Sequence, residues 1–254
     1  MSVIGLDFSI NFPGVCIAKD DFSDFKFEAV VSSSYVSGKF ESFIREMENK
    51  YGGFKVTILN TEKYRQTFKN NITYHESERI KLDHFKHLSS TLINNMDVCE
   101  VSAFAMEGIA YGAKGSALID IAIATGITRS TMLDTLLGSD LSKMFIFAPS
   151  EMKNAIDCKG NADKWDVFEA FLSNVKLKGL ENSGFYKFLS ENKDHEYVRK
   201  PATEKAKHEV KSPWSDMIDA YLAVLKTYNS LNGITYEKPA KPKKEKKIKQ
   251  SKTR

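Results

Sequence analysis

A carboxylate inside an apolar run near the start of the chain constrains the fold more than any other feature of the sequence. Residues 3–10 are mostly apolar and contain one acidic side chain, Asp7. Residues 11–14, Asn-Phe-Pro-Gly, are typical of a turn, and residues 15–18 form a second short apolar run. This order predicts a β-hairpin. A carboxylate in an apolar strand costs free energy unless something compensates it, so the same strand predicts a site around Asp7.

Strand and helix patterns alternate along the rest of the chain. Residues 25–31 predict a third strand, so the chain opens as an antiparallel meander. Further strands are predicted over residues 55–60, 101–106 and 144–148, and helices over residues 40–51, 77–96, 115–137, 163–172 and 213–228. The pattern indicates the α/β class, with a mixed central sheet that has three antiparallel N-terminal strands and is flanked by helices.

The charge is distributed unevenly, which divides the chain into a body and a tail. The formal net charge is +4, but residues 237–254 hold eight Lys, one Arg and two Glu, so they carry +7 and the remainder carries −3. We predict one domain over residues 1–230, with a polar insertion at about residues 180–211 that is a long loop or partly ordered. Residues 231–254 are predicted to be a disordered Lys-rich tail. The tail favours non-specific attraction to DNA, with a nuclear-import signal and a solubility tail as alternatives.

Composition excludes several classes of protein. The apolar fraction of 42% argues against disorder of the whole chain. No apolar run approaches the roughly 18 residues that a membrane helix needs, and we expect no signal peptide because a strand pattern begins at Val3. The three cysteines lie far apart and match no zinc spacing. We therefore expect a protein of a reducing compartment, the cytoplasm of a prokaryote or of a virus-infected host, with a nucleus or organelle as alternatives.

Three further carboxylates stand out by their positions. Glu107 ends an apolar strand, where α/β folds place ligands. Asp216 and Asp219 are three residues apart near the start of the closing helix, so they share a face. Converging carboxylates repel each other unless divalent ions neutralise them, and all-oxygen ligands favour Mg²⁺ or Mn²⁺. The alternative is that Asp216 only complements the helix dipole and that Asp219 lies on the surface.

These segments together resemble the RuvC-type Holliday-junction resolvases of the ribonuclease H-like superfamily. The resemblance covers most of residues 1–230. It runs through Val3-Ile4-Gly5-Leu6-Asp7 and Gly14-Val15-Cys16-Ile17-Ala18, Ala105-Met106-Glu107-Gly108-Ile109, Lys153 to Lys164, and Ser215-Asp216-Met217-Ile218-Asp219-Ala220. The family has one Asp on its first strand, one Glu on its fourth and two acidic residues three apart on its last helix. All four positions are filled here, whereas residues 8–11 depart from the small turn that usually follows the first Asp.

The resemblance implies a ribonuclease H-like fold and an endodeoxyribonuclease of the crossover-junction type. Such an enzyme works as a homodimer and cuts Holliday junctions or other branched DNA in recombination, repair or the processing of replication intermediates. It uses two Mg²⁺ ions per site, for which Mn²⁺ can substitute, and forms no covalent intermediate. The implied catalytic residues and metal ligands are Asp7, Glu107, Asp216 and Asp219.

The resemblance also implies groups that bind DNA. Lys153 and Lys164 have the separation of two DNA-contacting lysines of the family, although an isolated lysine is most often a solvated surface residue. Tyr111 lies one position away from a family aromatic that stacks on an unpaired base, and a packed loop aromatic is the alternative. Lys159 and Lys114 are lesser candidates.

Other functions stay open at the level of sequence. The same fold accommodates a ribonuclease H or a nuclease that trims flaps and branches, and a different class would be a non-catalytic, structure-specific DNA-binding protein. A sugar-kinase-like or chaperone-like ATPase is disfavoured because residues 8–12 lack a Gly/Thr phosphate loop. His84 and His87 lie three apart, and a solvated helix face is favoured over a metal site. His208 is left without a role.

Overall fold

The computed structural model describes residues 1–69, 71–98, 100–109, 115–177, 179–203 and 208–234. The strands are β1 (Ser2–Asp7), β2 (Gly14–Lys19), β3 (Phe25–Ser32), β4 (Phe54–Leu59), β5 (Val101–Glu107), β6 (Met144–Phe147), β7 (Arg199–Lys200) and β8 (Glu209–Val210). The helices are α1 (Gly38–Tyr51), α2 (Glu62–Arg65), α3 (Tyr74–Asn95), α4 (Ser116–Leu136), α5 (Pro149–Ala155), α6 (Lys164–Ser173), α7 (Gly184–Asn192) and α8 (Trp214–Leu231).

A mixed sheet of six strands forms the centre of the molecule, in the order β4-β3-β2-β1-β5-β6. The first three strands are antiparallel neighbours, as the hairpin and meander patterns predict. β5 pairs in parallel with β1, and β6 pairs in parallel with β5. β4, the fourth strand along the chain, pairs in parallel with β3 at the far edge of the sheet. Glu107 therefore ends the fifth strand of the chain, and that strand lies beside the first. The predicted fold class, α/β with a mixed central sheet flanked by helices, is confirmed.

Helices cover both faces of the sheet. The face covered by α8 includes Val3 and Ala105, and it also receives α1, α5, α6 and α7. The opposite face includes Ile4 and Phe104, and it packs against α3 and α4. α8 lies close against the hairpin because β1 carries Gly5, where a Cβ atom would be 2.1 Å from the carbonyl oxygen of Ala220.

The segment predicted as a loop or partly ordered insertion contains regular structure. Residues 184–192 form α7, and β7 and β8 pair as a small antiparallel ribbon. Phe185, Phe188 and Leu189 are buried, and the Phe188 and Trp214 ring centroids are 4.8 Å apart. The many Lys and Glu residues around it obscure this short apolar face in the sequence pattern, so the loop interpretation was wrong for these residues.

The domain boundary at residue 230 stays a prediction, and the Lys-rich tail lies outside the described residues from position 235 onward.

No helix in the described ranges is long and apolar enough to cross a membrane. Cys16 and Cys158 are free thiols, and Cys99 lies outside the described residues.

Candidate active site

Strand alternation directs the first two candidate carboxylates to the same face of the sheet. Successive side chains of a strand point to opposite faces, and Val3 faces α8 while Ile4 and Leu6 face α3 and α4. Asp7 is therefore on the α8 side. Glu107 is on the same side by the same argument, because Ala103 and Ala105 pack in the core beneath α8. β1 and β5 are parallel neighbours, so both carboxylates end at the same edge of the sheet.

α8 brings the other two acidic residues to this edge. Asp7 pairs in register with Gly14, whose Cα approaches α8 so closely that a Cβ would be 2.3 Å from the carbonyl carbon of Asp216. The first turn of α8 therefore lies over the end of the hairpin. Asp219 follows one helical turn later. Three separate segments of the chain thus contribute the four predicted acidic residues to one location.

A cavity of about 260 Å³, which we call the carboxylate cavity, opens between these elements. Its lining includes three of the four carboxylates and both lysines of the predicted DNA-binding pair: Asp7, Glu107, Pro149, Met152, Lys153, Lys164, Val167, Asp219 and Leu222. Asp216, in the first turn of α8, is the carboxylate that does not line the cavity, and it is only 6% exposed. The Ser215 hydroxyl donates a hydrogen bond to Asp216 Oδ2 at 3.2 Å, and Lys164 Nζ donates to Ser215 Oγ at 3.0 Å.

Burial and mutual repulsion destabilise the ionised carboxylates. Burial raises the pKa of Asp7 well above its ordinary value, and the charges of Asp219, Asp216 and Glu107 raise it further, while Lys164 opposes them. Burial raises the pKa of Asp219 to about 7, with Asp216 and Glu107 adding to the rise and Lys164 lowering it. Burial likewise raises the pKa of Glu107, and both Lys153 and Lys164 lower it. The carboxylates therefore form one interacting group.

This group suits a divalent cation by its chemistry but not yet by its arrangement. Four ionised carboxylates facing two ammonium groups leave an excess of two negative charges, and every carboxylate donor is an oxygen, as Mg²⁺ and Mn²⁺ prefer. Yet among the residues that the structure describes, no three acidic, His or Cys side chains are gathered as one metal site. The carboxylate oxygens are suitable ligands for Mg²⁺ or Mn²⁺, and binding of the metal would have to bring these side chains closer together.

We expect the metal-free protein to lose stability as the pH rises from about 4 to about 7. In the folded protein Asp219 holds its proton up to about pH 7, whereas in the unfolded chain a carboxyl releases it near pH 4. Between these values the unfolded state binds fewer protons, so stability falls with rising pH. At roughly 1.4 kcal/mol per pKa unit, the loss amounts to a few kcal/mol. Denaturant titrations at stepped pH, with a chelator present, measure it.

Asp219→Asn should flatten this pH profile, and Glu169→Gln, an exposed position on α6, should leave it unchanged. Adding Mg²⁺ should stabilise the wild type more at about pH 8 than at about pH 5, because protons and the ion compete for the same oxygens. An unchanged slope in Asp219→Asn would contradict the assignment of the pKa shift to this residue.

The predicted DNA-binding residues fall into three groups. Lys153 and Lys164 line the carboxylate cavity, and Lys153 Nζ also donates to the carbonyl oxygen of Ala162 at 2.8 Å. Lys159 is exposed in the loop between α5 and α6, beside a separate cleft. Tyr111 and Lys114 lie outside the described residues.

Two neighbouring groups were missed by the sequence reasoning. Ser215 connects Lys164 to Asp216, and its only sequence signal is its place next to an acidic residue at a helix start. Arg129, on α4, donates from Nη2 to the carbonyl oxygen of Glu107 at 3.2 Å, and its Nε lies 3.1 Å from Met106 Sδ. Arg129 thereby fixes the end of β5 from the face opposite the cavity, and nothing in its local sequence indicates this contact.

One of the three histidines considered in the sequence analysis differs from its interpretation. His84 was expected on a solvated helix face, but it is 7% exposed and stacks on Tyr64 with ring centroids 4.2 Å apart. Burial lowers the pKa of His84 to about 4, so the ring is neutral at physiological pH. His87 is exposed. His208 accepts a hydrogen bond from the backbone N–H of Ala202 at 2.9 Å, which gives it a structural contact in the β7–β8 segment.

Comparison with known proteins gives matches among solved structures alone. No family model and no curated protein matches the sequence. The structure titled "Thermus thermophilus RuvC structure" shares 14% sequence identity with this chain at a TM-score of 0.41. The match covers 92% of this chain and 98% of the Thermus thermophilus chain. "T. thermophilus RuvC in complex with Holliday junction substrate" shares 12% identity with a TM-score of 0.43 and the same coverage. The order and directions of the strands define the fold.

Proposed function

We propose that this protein is a divalent-metal-dependent endonuclease that cuts Holliday junctions or other branched DNA. One observation carries the proposal: four carboxylates from three separate segments of the chain interact around one cavity and outnumber the basic groups there. Buried like charges are retained at a cost, and a site that binds and uses cations is the chemistry that explains them. The choice of branched DNA as substrate comes from the resemblance of these four acidic positions, in their order and spacing, to those of the RuvC-type Holliday-junction resolvases.

In the proposed enzyme the four carboxylates hold the metal ions. Asp7, Glu107 and Asp219 would hold Mg²⁺ directly from the cavity wall, and Asp216 would join them from the start of α8. Two such ions, when bound, supply an activated water and stabilise the leaving oxygen of a phosphodiester. The protein's own contribution is to hold these oxygens at the carboxyl edge of the sheet.

The two lysines would bind the DNA backbone beside the carboxylates. In the metal-free protein the charge of Lys164 lowers the pKa of Asp7, Asp216 and Asp219, so it partly neutralises the carboxylates. With cations bound, the carboxylates would no longer need that neutralisation, and the ammonium groups of Lys153 and Lys164 would be able to contact phosphate oxygens of a strand entering the cavity. Lys159, Tyr111 and Lys114 stay candidates for further DNA contacts.

A homodimer is part of the proposal. α4 carries apolar side chains that the protein's own core covers incompletely, including Ile119, which is 60% exposed. Ile123 and Ile127 lie farther along the same helix and are only partly buried. A second copy of the chain would cover this helix.

The test is a cleavage assay with substrates of one sequence and different branching. A synthetic four-way junction, a flap, an RNA–DNA hybrid and a linear duplex are incubated with Mg²⁺, with Mn²⁺ or with a chelator. We expect the junction or flap to be cut when either metal is present and to stay intact with the chelator. Preferential cutting of the hybrid would replace the proposal with a ribonuclease H, and tight junction binding without cleavage in either metal would replace it with a non-catalytic DNA-binding protein.

A further inference from the structure

A second cavity, of about 480 Å³, lies on the opposite side of the β1–β2 turn from the carboxylates. We call it the turn-side cavity. Its walls are residues 8–11, the end of β3, the segment from α2 to Phe68 and the start of α4. Its volume falls in the range typical of small-ligand sites. No residue predicted from the sequence to act in catalysis or DNA binding lines it.

The turn-side cavity begins one residue away from a candidate catalytic carboxylate. Asp7 lines the carboxylate cavity on the α8 face, and Phe8, the next residue, lines the turn-side cavity on the other face. Both cavities open at the carboxyl edge of the sheet, where α/β folds bind ligands. A nucleic-acid strand lying across the β1–β2 turn would pass both.

Aromatic rings flank the turn-side cavity on two sides. Phe68 is 66% exposed, and its ring meets Tyr64 edge to face with centroids 5.4 Å apart. Tyr35 is 56% exposed on the other wall, with its ring centroid 4.9 Å from that of Phe12. Exposed aromatic side chains that line a cavity offer flat faces to a planar ligand.

The polar groups of the turn-side cavity fit a ligand that is planar, polar at its edge and attached to a negative backbone. Arg65 lies at the mouth, is exposed, and makes no ion pair with any described residue. The Asn11 side-chain amide has no hydrogen-bond partner within the described ranges. The one acidic group of the lining, Asp120, is already paired with Lys81 at 3.1 Å, so it does not repel a polyanion strongly.

We propose that the turn-side cavity receives an unpaired nucleobase of the DNA strand that is being cut. The base would stack against Phe68 and Tyr35, its edge would face the Asn11 amide, and Arg65 would contact the adjoining phosphate. The inference rests on the proposed nuclease function and adds a binding site to it. It gives the enzyme a means of selecting DNA whose bases are already unpaired near the cut, since stacking on aromatic rings needs a base released from its partner.

The test uses four-way junctions that carry 2-aminopurine at single positions around the branch point, bound to an Asp7→Asn protein that leaves them uncut. We expect quenching of the probe at a position next to the cut site when it stacks in the cavity. Phe68→Leu, which keeps an apolar side chain without a ring face, should abolish the quenching and weaken binding about tenfold. Phe68→Trp should preserve both properties.

Tyr74→Ala is the matched control, because Tyr74 is an 82% exposed aromatic that does not line the cavity. Thermal melts establish that each variant is folded. Equal quenching in Phe68→Leu and the parent, or equal loss in Tyr74→Ala, would overturn the proposal while cleavage by the wild type leaves the nuclease function standing. A protein that neither binds nor cuts any of the junctions would overturn both.

Discussion

Asp7→Asn is expected to abolish metal-dependent cleavage and, at the same time, to stabilise the metal-free protein. Asp7 is the carboxylate whose charge interacts with all three others, Glu107, Asp216 and Asp219. Asparagine keeps the shape and removes the charge. We expect cleavage to fall by more than about 100-fold, the upper end of the loss seen when groups that merely support a metal ligand are removed. The free energy of unfolding in a chelator at about pH 8 should rise by about 1–3 kcal/mol, because a buried charge and its repulsion disappear.

The two effects of Asp7→Asn are measured by junction cleavage and by denaturant titration of the same preparation. Mg²⁺ should also stabilise the variant less than the wild type. This measurement distinguishes weaker metal binding from a defect in cleavage with the metal still bound. Asp24→Asn is the control: Asp24 makes a surface ion pair with Lys19 at 3.3 Å, so its loss should change stability by less than about 1 kcal/mol and leave cleavage intact. A variant that cuts at the wild-type rate, or one that unfolds more easily than the wild type, would refute the role given to Asp7.

Features with a local signal could be predicted from the sequence. The β1–β2 hairpin is marked by its turn residues, and α1, α3, α4 and α8 are marked by apolar spacing, with ends within three residues of those predicted. Asp7 stood out because a lone carboxylate interrupts an apolar strand. The candidate site was predicted from the positions of four acidic residues, two on strands and two on the closing helix. The two on strands were expected to meet because parallel strands end at a common edge of the sheet.

Features that depend on distant packing could not be predicted in this way. The burial of His84 depends on Tyr64, which lies twenty residues away on α2 and supplies the stacking surface. The order of α7 depends on aromatic contacts with Phe54 and Trp214 from other elements. The turn-side cavity exists because four segments surround a space, and a sequence pattern does not indicate empty space. Local periodicity reports which face of an element is apolar, and not what will cover it.

Gly14→Ala should eliminate cleavage without removing any functional group. Gly14 pairs with Asp7, and a Cβ at this position would be 2.4 Å from the carbonyl oxygen of Asp216 and 2.5 Å from the backbone nitrogen of Met217. These are backbone atoms that cannot rotate away, so the start of α8 must move from the hairpin. Overpacking of this kind costs typically 1–3 kcal/mol, and we expect the upper end or more because no side chain can yield. Denaturant titration and cleavage of the junction measure both consequences.

Gly38→Ala is the matched control, because Gly38 begins α1 and has no atom within 4 Å of the added carbon. Alanine favours a helix over glycine, so this variant should be as stable as the wild type or more stable by up to about 1 kcal/mol. The sign of the stability change then separates two ways of losing activity. Asp7→Asn should stop cleavage in a stabilised protein because a charge is missing, and Gly14→Ala should stop it in a destabilised protein because Asp216 and Asp219 move with α8. Full cleavage by a folded Gly14→Ala protein would show that the position of α8 does not govern the site.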